Sequence, residues 1–141
     1  MEDLLELCRP QIQLDEGLRL SKYRDTMGNE TIGYGHKLNI PITQRAATII
    51  LEDDLANAVR ECMKNTSFFN DIDIVRKVIL VNMCFNEGID GLLNFEKMLM
   101  FVKTKKYILA ATEIRTSKAY RQVPNRMERL AKAMELGKLE L

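Results

Sequence analysis

Tryptophan is missing from this 141-residue chain, and histidine occurs once, as His36. A single histidine leaves no second imidazole with which to build a typical zinc site, so a histidine-rich metal centre is excluded. No apolar run approaches the roughly 20 residues that a membrane-spanning helix needs. The N-terminal residues, MEDLLELCRP, are acidic and contain no apolar core segment. They therefore do not predict a secretion signal.

Cysteine is scarce as well: the chain has three, Cys8, Cys62 and Cys84. An odd number without metal-type spacing does not fit a disulfide framework or a metal site. Each of the three lies among apolar residues. This context predicts reduced, small core side chains in a protein made in a cytosol.

The net charge of +1 hides an asymmetry along the chain. Residues 1–96 carry 10 Lys and Arg against 16 Asp and Glu, a net of −6, whereas residues 97–141 carry 11 against 4, a net of +7. A basic C-terminal part would be attracted to an anionic polymer such as nucleic acid or bacterial cell wall. Charge alone favours a solvated helical surface. A nucleic-acid-binding domain is the rival, and it predicts steeply salt-dependent DNA binding in a gel shift.

Most of the chain has the apolar spacing of helices in one globular domain. Pro10 suits a first helical turn and Gly17 a stop, which predicts a short helix over 9–16 and leaves 1–8 as an N-terminal extension. Thr43 is the expected N-cap of a helix of about 20 residues, near 30 Å long. Four further helices are predicted: a buried central one through 75–85 that stops at Gly88, then about 94–102, 106–116 and 124–137.

Four of the seven glycines fall between Asp15 and Leu38, in DEGLRLSKYRDTMGNETIGYGHKL. Two alternating runs, LRLSKYR and ETIGYGH, flank the turn-like DTMGN, and this pattern predicts a β-hairpin. Gly33 and Gly35 suggest a phosphate loop, but the Lys-Ser/Thr pair and the following helix of such a loop are missing. The two glycines instead favour a strand that packs closely or bends.

Three polar residues stand out by their spacing: Glu16 at the end of the first helix, Asp25 at the hairpin turn and Thr31 on the return strand. A hairpin that folds back beside the helix end would bring them to one cleft wall. Glycoside hydrolysis requires two such carboxyl groups, one to protonate the leaving oxygen and one, ionised, to activate water or attack the sugar. Apolar Leu14 and Leu18 would favour the protonated form of Glu16. Spacing alone favours structural roles, because a turn Asp commonly accepts N–H bonds.

The same segment resembles the N-terminal signature of the phage-type lysozymes of glycoside hydrolase family 24, the group that includes the T-even phage enzymes. That signature is a Glu, eight residues, an Asp, five residues and a Thr, followed by Ile-Gly-x-Gly-His. Glu16, Asp25, Thr31 and TIGYGH occupy those places without a gap. DDLANAVRE resembles the family's interlobe helix, VNMCFNEG its buried core helix and AYRQVPNRMERL its C-terminal motif. The resemblance therefore covers nearly the whole chain, from about Cys8 onward.

The resemblance implies an α+β, mostly α fold of the lysozyme-like kind, in a single domain. A hairpin lobe over about 17–42 would be joined by an interlobe helix, about 43–64, to a helical lobe. The helical lobe would comprise about 65–141 together with the first helix, and the active-site cleft would lie between the lobes. The implied activity is that of an endolysin, which hydrolyses the β-1,4 bond between N-acetylmuramic acid and N-acetylglucosamine in peptidoglycan. No metal or organic cofactor is implied.

Roles for individual residues follow from the resemblance. Glu16 would be the general acid, and Asp25 with Thr31 would activate a water, with inversion at the sugar. Arg126 has two interpretations: a helix-surface charge, or, as the resemblance implies, a side chain that reaches toward Glu16. The resemblance also implies a structural role for His36, paired with Asp54. Further cleft positions that it implies are Tyr34, Leu38, Phe85 and Asn86.

Delivery is likewise an expectation from the resemblance. Without an export signal, the protein would be a monomer made in the host bacterial cytoplasm, and it would reach the wall at lysis through a separately made membrane pore. Delivery by a virion, or release as a bacteriocin component, remains open. A non-catalytic cell-wall-binding or phage tail component with the same fold is the alternative function.

Overall fold

The structure, a computed structural model, describes residues 1–139. The chain divides into two compact units, Met1–Ala47 and the residues from Thr48 onward, and each is described by itself. The first unit contains a helix, a small antiparallel sheet and the first turn of a further helix, and the second unit is helical. The predicted α+β, mostly α class is therefore confirmed. Among the described residues, no helix combines the length and apolarity that crossing a membrane requires.

Helix α1, Glu2–Glu16, opens the first unit. The predicted start at residue 9 is wrong, because α1 begins seven residues earlier and runs through Pro10. Proline removes one backbone donor from a helix. Since no residue of α1 is buried, water can hydrate the carbonyl that is left unpaired. Acidic residues in the first turn also favour the early start through the helix dipole. Gly17, with φ 67°, ends the helix as predicted.

The predicted hairpin is confirmed, and a third strand extends it. Strands β1 (Arg19–Arg24), β2 (Glu30–Gly33) and β3 (His36–Lys37) form an antiparallel sheet in the order β1-β2-β3. The sequence prediction treated ETIGYGH as one run. Positive φ angles at Gly33 and Gly35, 72° and 75°, turn the chain within that run, so that β3 pairs back on β2. The middle strand therefore carries Thr31, which faces Tyr23 on one side and Lys37 on the other.

Helix α2, Gln44–Asn65, crosses from the first unit into the second. Its N-cap is confirmed, since the backbone amide of Ala46 donates to Thr43 Oγ1 at 3.1 Å. A short 3-10 turn, Phe69–Asp71, follows. The remaining helices are α3 (Ile74–Leu93), α4 (Glu96–Lys103), α5 (Tyr107–Arg115), α6 (Lys118–Gln122) and α7 (Pro124–Leu136).

Helix α3 provides much of the core of the second unit, as its apolar sequence predicts. Its side chains Ile79 and Leu80 are fully buried, and they join a cluster to which α4, α5 and α7 also contribute. Gly88 was predicted to stop this helix. It instead forms a kink with φ 78° and ψ 168°, after which the helix resumes. The resumed turn places Leu92 in the core with no exposed surface, which accounts for the continuation.

Cysteine burial differs from the prediction at one position. Cys8 is exposed on α1, so its expected place in the core is wrong. Cys62 and Cys84 are buried, as predicted, and all three thiols are free. Burial, aided by the neighbouring Cys84, raises the pKa of the Cys62 thiol to about 12. This thiol therefore stays protonated and unreactive at neutral pH.

Candidate active site

Asp25 organises the turn between β1 and β2. Its Oδ1 accepts the backbone amides of Met27 at 2.9 Å and Asn29 at 2.8 Å. Its own backbone amide donates to the carbonyl of Asn29 at 2.9 Å, and its carbonyl accepts from the amide of Gly28 at 3.0 Å. Oδ2 has a longer contact, 3.4 Å, with the side-chain amide of Asn29. Oδ1 is therefore committed to the turn, and Oδ2 is the oxygen with bonding capacity left.

These bonds set the charge state of Asp25. The backbone amide of Asn29 is the largest influence that holds the pKa of Asp25 below its usual value. The Asn29 side chain, the amide of Met27 and the charge of Lys37 act in the same direction, and desolvation opposes them. A carboxylate that accepts several N–H bonds is stabilised in its ionised form. Asp25 is thus an anion at neutral pH.

Thr31 pairs with Tyr23 next to the turn that Asp25 opens, and it is 1% exposed. Its Oγ1 donates to the carbonyl of Asn29 at 2.9 Å, the same carbonyl that accepts the Asp25 amide. The structure thus brings Asp25 and Thr31, two of the three predicted catalytic residues, together around Asn29. Because the hydroxyl proton of Thr31 is already donated, its oxygen is left to accept.

Glu16 is the last residue of α1, and its side chain lies against Gly35 in the turn between β2 and β3. A Cβ atom added at Gly35 would be 2.7 Å from Glu16 Oε2 and 2.8 Å from Cδ. The helix end and the hairpin therefore meet at the third predicted catalytic residue. The expected apolar surroundings are not formed by Leu14 and Leu18, which are 84% and 53% exposed.

The other predicted residues of the first unit lie on β3 and the turns around it. Tyr34 and Leu38 are both exposed, as a substrate-contacting position requires. His36 is half-buried on β3, and its Nε2 is shielded from solvent without a hydrogen-bond partner among the described residues. Asp54 belongs to the second unit, so its pairing with His36 stays a prediction.

Arg126, on α7, is held against α3. Its Nε and Nη2 donate to Oδ1 of Asn82 at 3.1 and 2.9 Å, and its Nη1 donates to Oδ1 of Asn86 at 3.2 Å. Two predicted residues, Arg126 and Asn86, are thereby brought together. Arg126 also lines an apolar cavity of about 580 Å³ with the predicted Phe85. The reach of Arg126 toward Glu16 stays a prediction.

A second cavity, of about 780 Å³, opens in the helical unit beside Asn86. Its volume is within the range of small-molecule sites. Glu87 lines the same cavity, and burial raises the pKa of its carboxyl, against an opposing effect of Arg126. Asn86 is the predicted cleft residue that borders this cavity.

Sequence reasoning missed two residues that set this geometry, Asn29 and Asn82, and it assigned Gly35 only to close packing or bending of a strand. Asn29 joins Asp25 to Thr31, Gly35 borders Glu16, and Asn82 orients Arg126. The signal in the sequence reached only Met27, since an Asp that opens a turn commonly bonds the amide two residues on. No pattern in the sequence marks Asn82, because its contact with Arg126 joins α3 to α7, 44 residues further along the chain.

The chain is similar to known proteins along most of its length. The family model described as Phage lysozyme matches residues 13–134. The Probable T4-type lysozyme 1 of Dictyostelium discoideum is 27% identical, over 96% of this chain and 98% of that protein. The Probable T4-type lysozyme 2 of the same organism is 28% identical, over 97% and 98%. The Pre-baseplate central spike protein Gp5 of Enterobacteria phage T4 is 28% identical, over 92% of this chain and 28% of its own length.

The resemblance described from the sequence is therefore confirmed. The family match includes the positions of Glu16, Asp25 and Thr31 and extends through α3 to most of α7. Because it spans well over half of the chain, this chain belongs to the phage lysozyme family and is a glycoside hydrolase of the lysozyme type.

Proposed function

We propose that the protein hydrolyses the β-1,4 bond between N-acetylmuramic acid and N-acetylglucosamine in bacterial peptidoglycan. Family membership supports the substrate class. The observation that carries the mechanism is the pair of carboxyl groups on the first unit, one against the hairpin and one within its turn. Cleavage of a glycosidic bond needs one carboxyl group to give a proton and a second to act as an anion.

Asp25 is proposed as the base. Its bonds in the turn favour the anion, and Oδ2 is the oxygen that those bonds leave available. A water that donates one proton to Oδ2 and the other to Thr31 Oγ1 would keep a lone pair for the anomeric carbon. Thr31 suits the accepting role because its own proton goes to the Asn29 carbonyl. Asp25 then takes the water proton as the new C–O bond forms.

Glu16 is proposed as the general acid. Protonated Glu16 would give its proton to the glycosidic oxygen as the C–O bond breaks, which removes the need for an alkoxide leaving group. The contact with Gly35 places this side chain against the hairpin that carries Asp25. The two carboxyl groups therefore have different surroundings: backbone amides stabilise a negative charge at Asp25, and a bare glycine borders Glu16.

A non-catalytic cell-wall-binding or tail role is the second candidate. The name of the Pre-baseplate central spike protein Gp5 of phage T4 describes a structural part of a virion, and 28% of that protein's length matches this chain, which supports a place in a tail but does not bear on catalysis. In such a role, neither of the two carboxyl groups would take part in a reaction. It therefore predicts binding to peptidoglycan that does not depend on Glu16 or Asp25.

One experiment separates the two candidates. Purified protein is added to chloroform-treated Gram-negative cells, and both turbidity and newly released reducing ends are measured for the wild type and Glu16→Gln. General-acid catalysis contributes ~10²–10⁴-fold, so we expect Glu16→Gln to lose at least that share of turnover while its melting temperature stays close to that of the wild type. Retention of more than a tenth of wild-type turnover would remove Glu16 from the mechanism. Release of no reducing ends by the wild type would favour the tail role.

For delivery, the proposal is a monomer that is made in a bacterial host and reaches the wall through a separate pore-forming protein. Its support is the family resemblance alone. Expression in a bacterial cytoplasm, with and without a pore-forming protein, tests it. We expect lysis only with the pore, and lysis without one would contradict this route.

A further inference from the structure

Gly33, the last residue of β2, and Gly35, in the turn that leads to β3, form a matched pair of glycines with positive φ angles. Their φ angles are 72° and 75°, so the backbone favours glycine equally at the two positions. Their surroundings differ. A Cβ at Gly33 would meet nothing within 4 Å, whereas one at Gly35 would be 2.7 Å from Oε2, 2.8 Å from Cδ and 3.0 Å from Cγ of Glu16. Backbone conformation alone accounts for a glycine at position 33, whereas position 35 also has no room for a Cβ atom.

The neighbour that limits the room at position 35 is the Glu16 side chain. Cγ, Cδ and Oε2 of Glu16 lie 2.7 to 3.0 Å from the place where any other residue at position 35 would carry its Cβ, closer than a Cβ contact allows. Within Met1–Ala47, no hydrogen bond or ion pair holds the Glu16 carboxyl group. Within the unit, the exposed side chain of Glu16 therefore lies against the surface of Gly35 without a polar partner.

We propose that Gly35 is a positioning residue for Glu16: its missing side chain lets the carboxyl group lie flat on the hairpin backbone. The inference rests on the proposed role of Glu16 as general acid. A Cβ at position 35 would displace the carboxyl group rather than unfold the turn, because the displaced atoms are the flexible end of a side chain. Catalysis is sensitive to such a shift, since a misplacement of about 1 Å can cost ~10²-fold in rate.

The kinetic test compares Gly35→Ala with Gly33→Ala. Both substitutions place an alanine at a positive φ, so we expect similar losses of melting temperature. Only Gly35→Ala displaces Glu16. We expect its kcat on peptidoglycan to fall by about 10–10²-fold, with a smaller change in KM, and the kcat of Gly33→Ala to stay near the wild-type value. Equal losses of kcat in the two variants would overturn the proposal.

A second measurement does not depend on hydrolysis or on the folding of a variant. In wild-type protein, the Hα atoms of Gly35 should show a nuclear Overhauser effect to the Hγ atoms of Glu16, whereas the Hα atoms of Gly33 should show none. Absence of the Gly35 effect would overturn the proposal even if both variants failed to fold. If the effect is present but the wild type releases no reducing ends, the proposed function fails while the placement of Glu16 by Gly35 stands.

Discussion

Asp25 and Asn29 form two reciprocal hydrogen bonds across the turn between β1 and β2. The amide of Asn29 donates to Asp25 Oδ1 at 2.8 Å, and the amide of Asp25 donates to the Asn29 carbonyl at 2.9 Å. Because the first of these bonds favours the ionised carboxylate, the proposed base is also the residue that closes the turn. Its charge therefore serves both the stability of the turn and the proposed reaction.

Asp25→Ala should destabilise the protein in a pH-dependent way. The pKa of Asp25 is lowered in the folded state, chiefly by the amide of Asn29. A lowered folded pKa contributes stability above the unfolded value, ~3.9 for Asp, and that stability is lost as pH falls through the folded pKa. We expect the melting temperatures of the wild type and the variant to differ most at neutral pH and to converge as the pH falls through the folded pKa of Asp25.

Asp53→Ala is the matched control for this measurement. Asp53 is exposed on α2, and its carboxylate makes no hydrogen bond or ion pair among the described residues. Its removal should change the melting temperature little, and by a similar amount across the pH range. A difference between wild type and Asp25→Ala that stays constant from neutral to acidic pH would contradict the turn-closing role of the charge.

Substitutions of Asn29 should shift the pH profile of hydrolysis. Asn29→Ala removes the side-chain contact with Asp25 Oδ2 and keeps both backbone bonds, so the pKa of Asp25 should rise modestly. Asn29→Asp places a second carboxyl group beside it, and like charge should raise this pKa further. The acid limb of kcat/KM reports the base of the free enzyme, so it should move to higher pH in the order wild type, Ala, Asp.

The control for the Asn29 series is Asn65→Ala. The Asn65 side chain bonds Glu61 on α2 in the second unit, so its loss should lower stability and leave the pH profile in place. An acid limb that does not move in Asn29→Asp would show that Asp25 is not the group that titrates there.

Thr31→Val tests the hydroxyl without changing the shape of the side chain. The variant loses the bond to the Asn29 carbonyl, which should lower the free energy of unfolding by about 0.5–1.5 kcal/mol. If Thr31 Oγ1 also holds the attacking water, kcat should fall much more than KM changes. Thr31→Ser keeps the hydroxyl and should keep most of the turnover. Equal kcat in the Val and Ser variants would leave Thr31 with a structural role alone.

The sequence predicted the elements that local chemistry determines. Thr43 as an N-cap, Gly17 as a helix end and the hairpin around DTMGN each follow from one residue type and its neighbours, and all three are present. The missed features depend on length or on distant contacts. Helix α6 has five residues, too few for a periodic pattern, and Gly88 kinks α3 because Leu92 has a place in the core beyond it.

In the candidate site, too, the sequence predicted the residues but not the contacts between them. Motif spacing identified Glu16, Asp25 and Thr31, but spacing carries no information about which atoms touch. That Asn29 links two of them, and that Gly35 borders the third, depends on how β2 turns into β3. The chain turns from β2 into β3 because two glycines adopt positive φ angles. Which atoms of the helix end this turn contacts depends on the folded structure and cannot be read from residue spacing.

The stereochemistry of the product decides between the two possible tasks of Asp25. In inverting enzymes the carboxyl groups stand ~6.5–9.5 Å apart with a water between them, whereas in retaining enzymes they are ~5–5.5 Å apart and the second attacks the sugar itself. Three features favour water activation: Asp25 Oδ1 is bound to two backbone amides, the hydroxyl proton of Thr31 is donated to the Asn29 carbonyl so that its oxygen keeps a lone pair, and the family resemblance implies inversion. We expect the β-linked substrate to give the α-anomer first. Proton NMR of the fresh reducing ends, recorded before mutarotation, measures this, and a β-anomer as first product would replace the activated water with direct attack by Asp25.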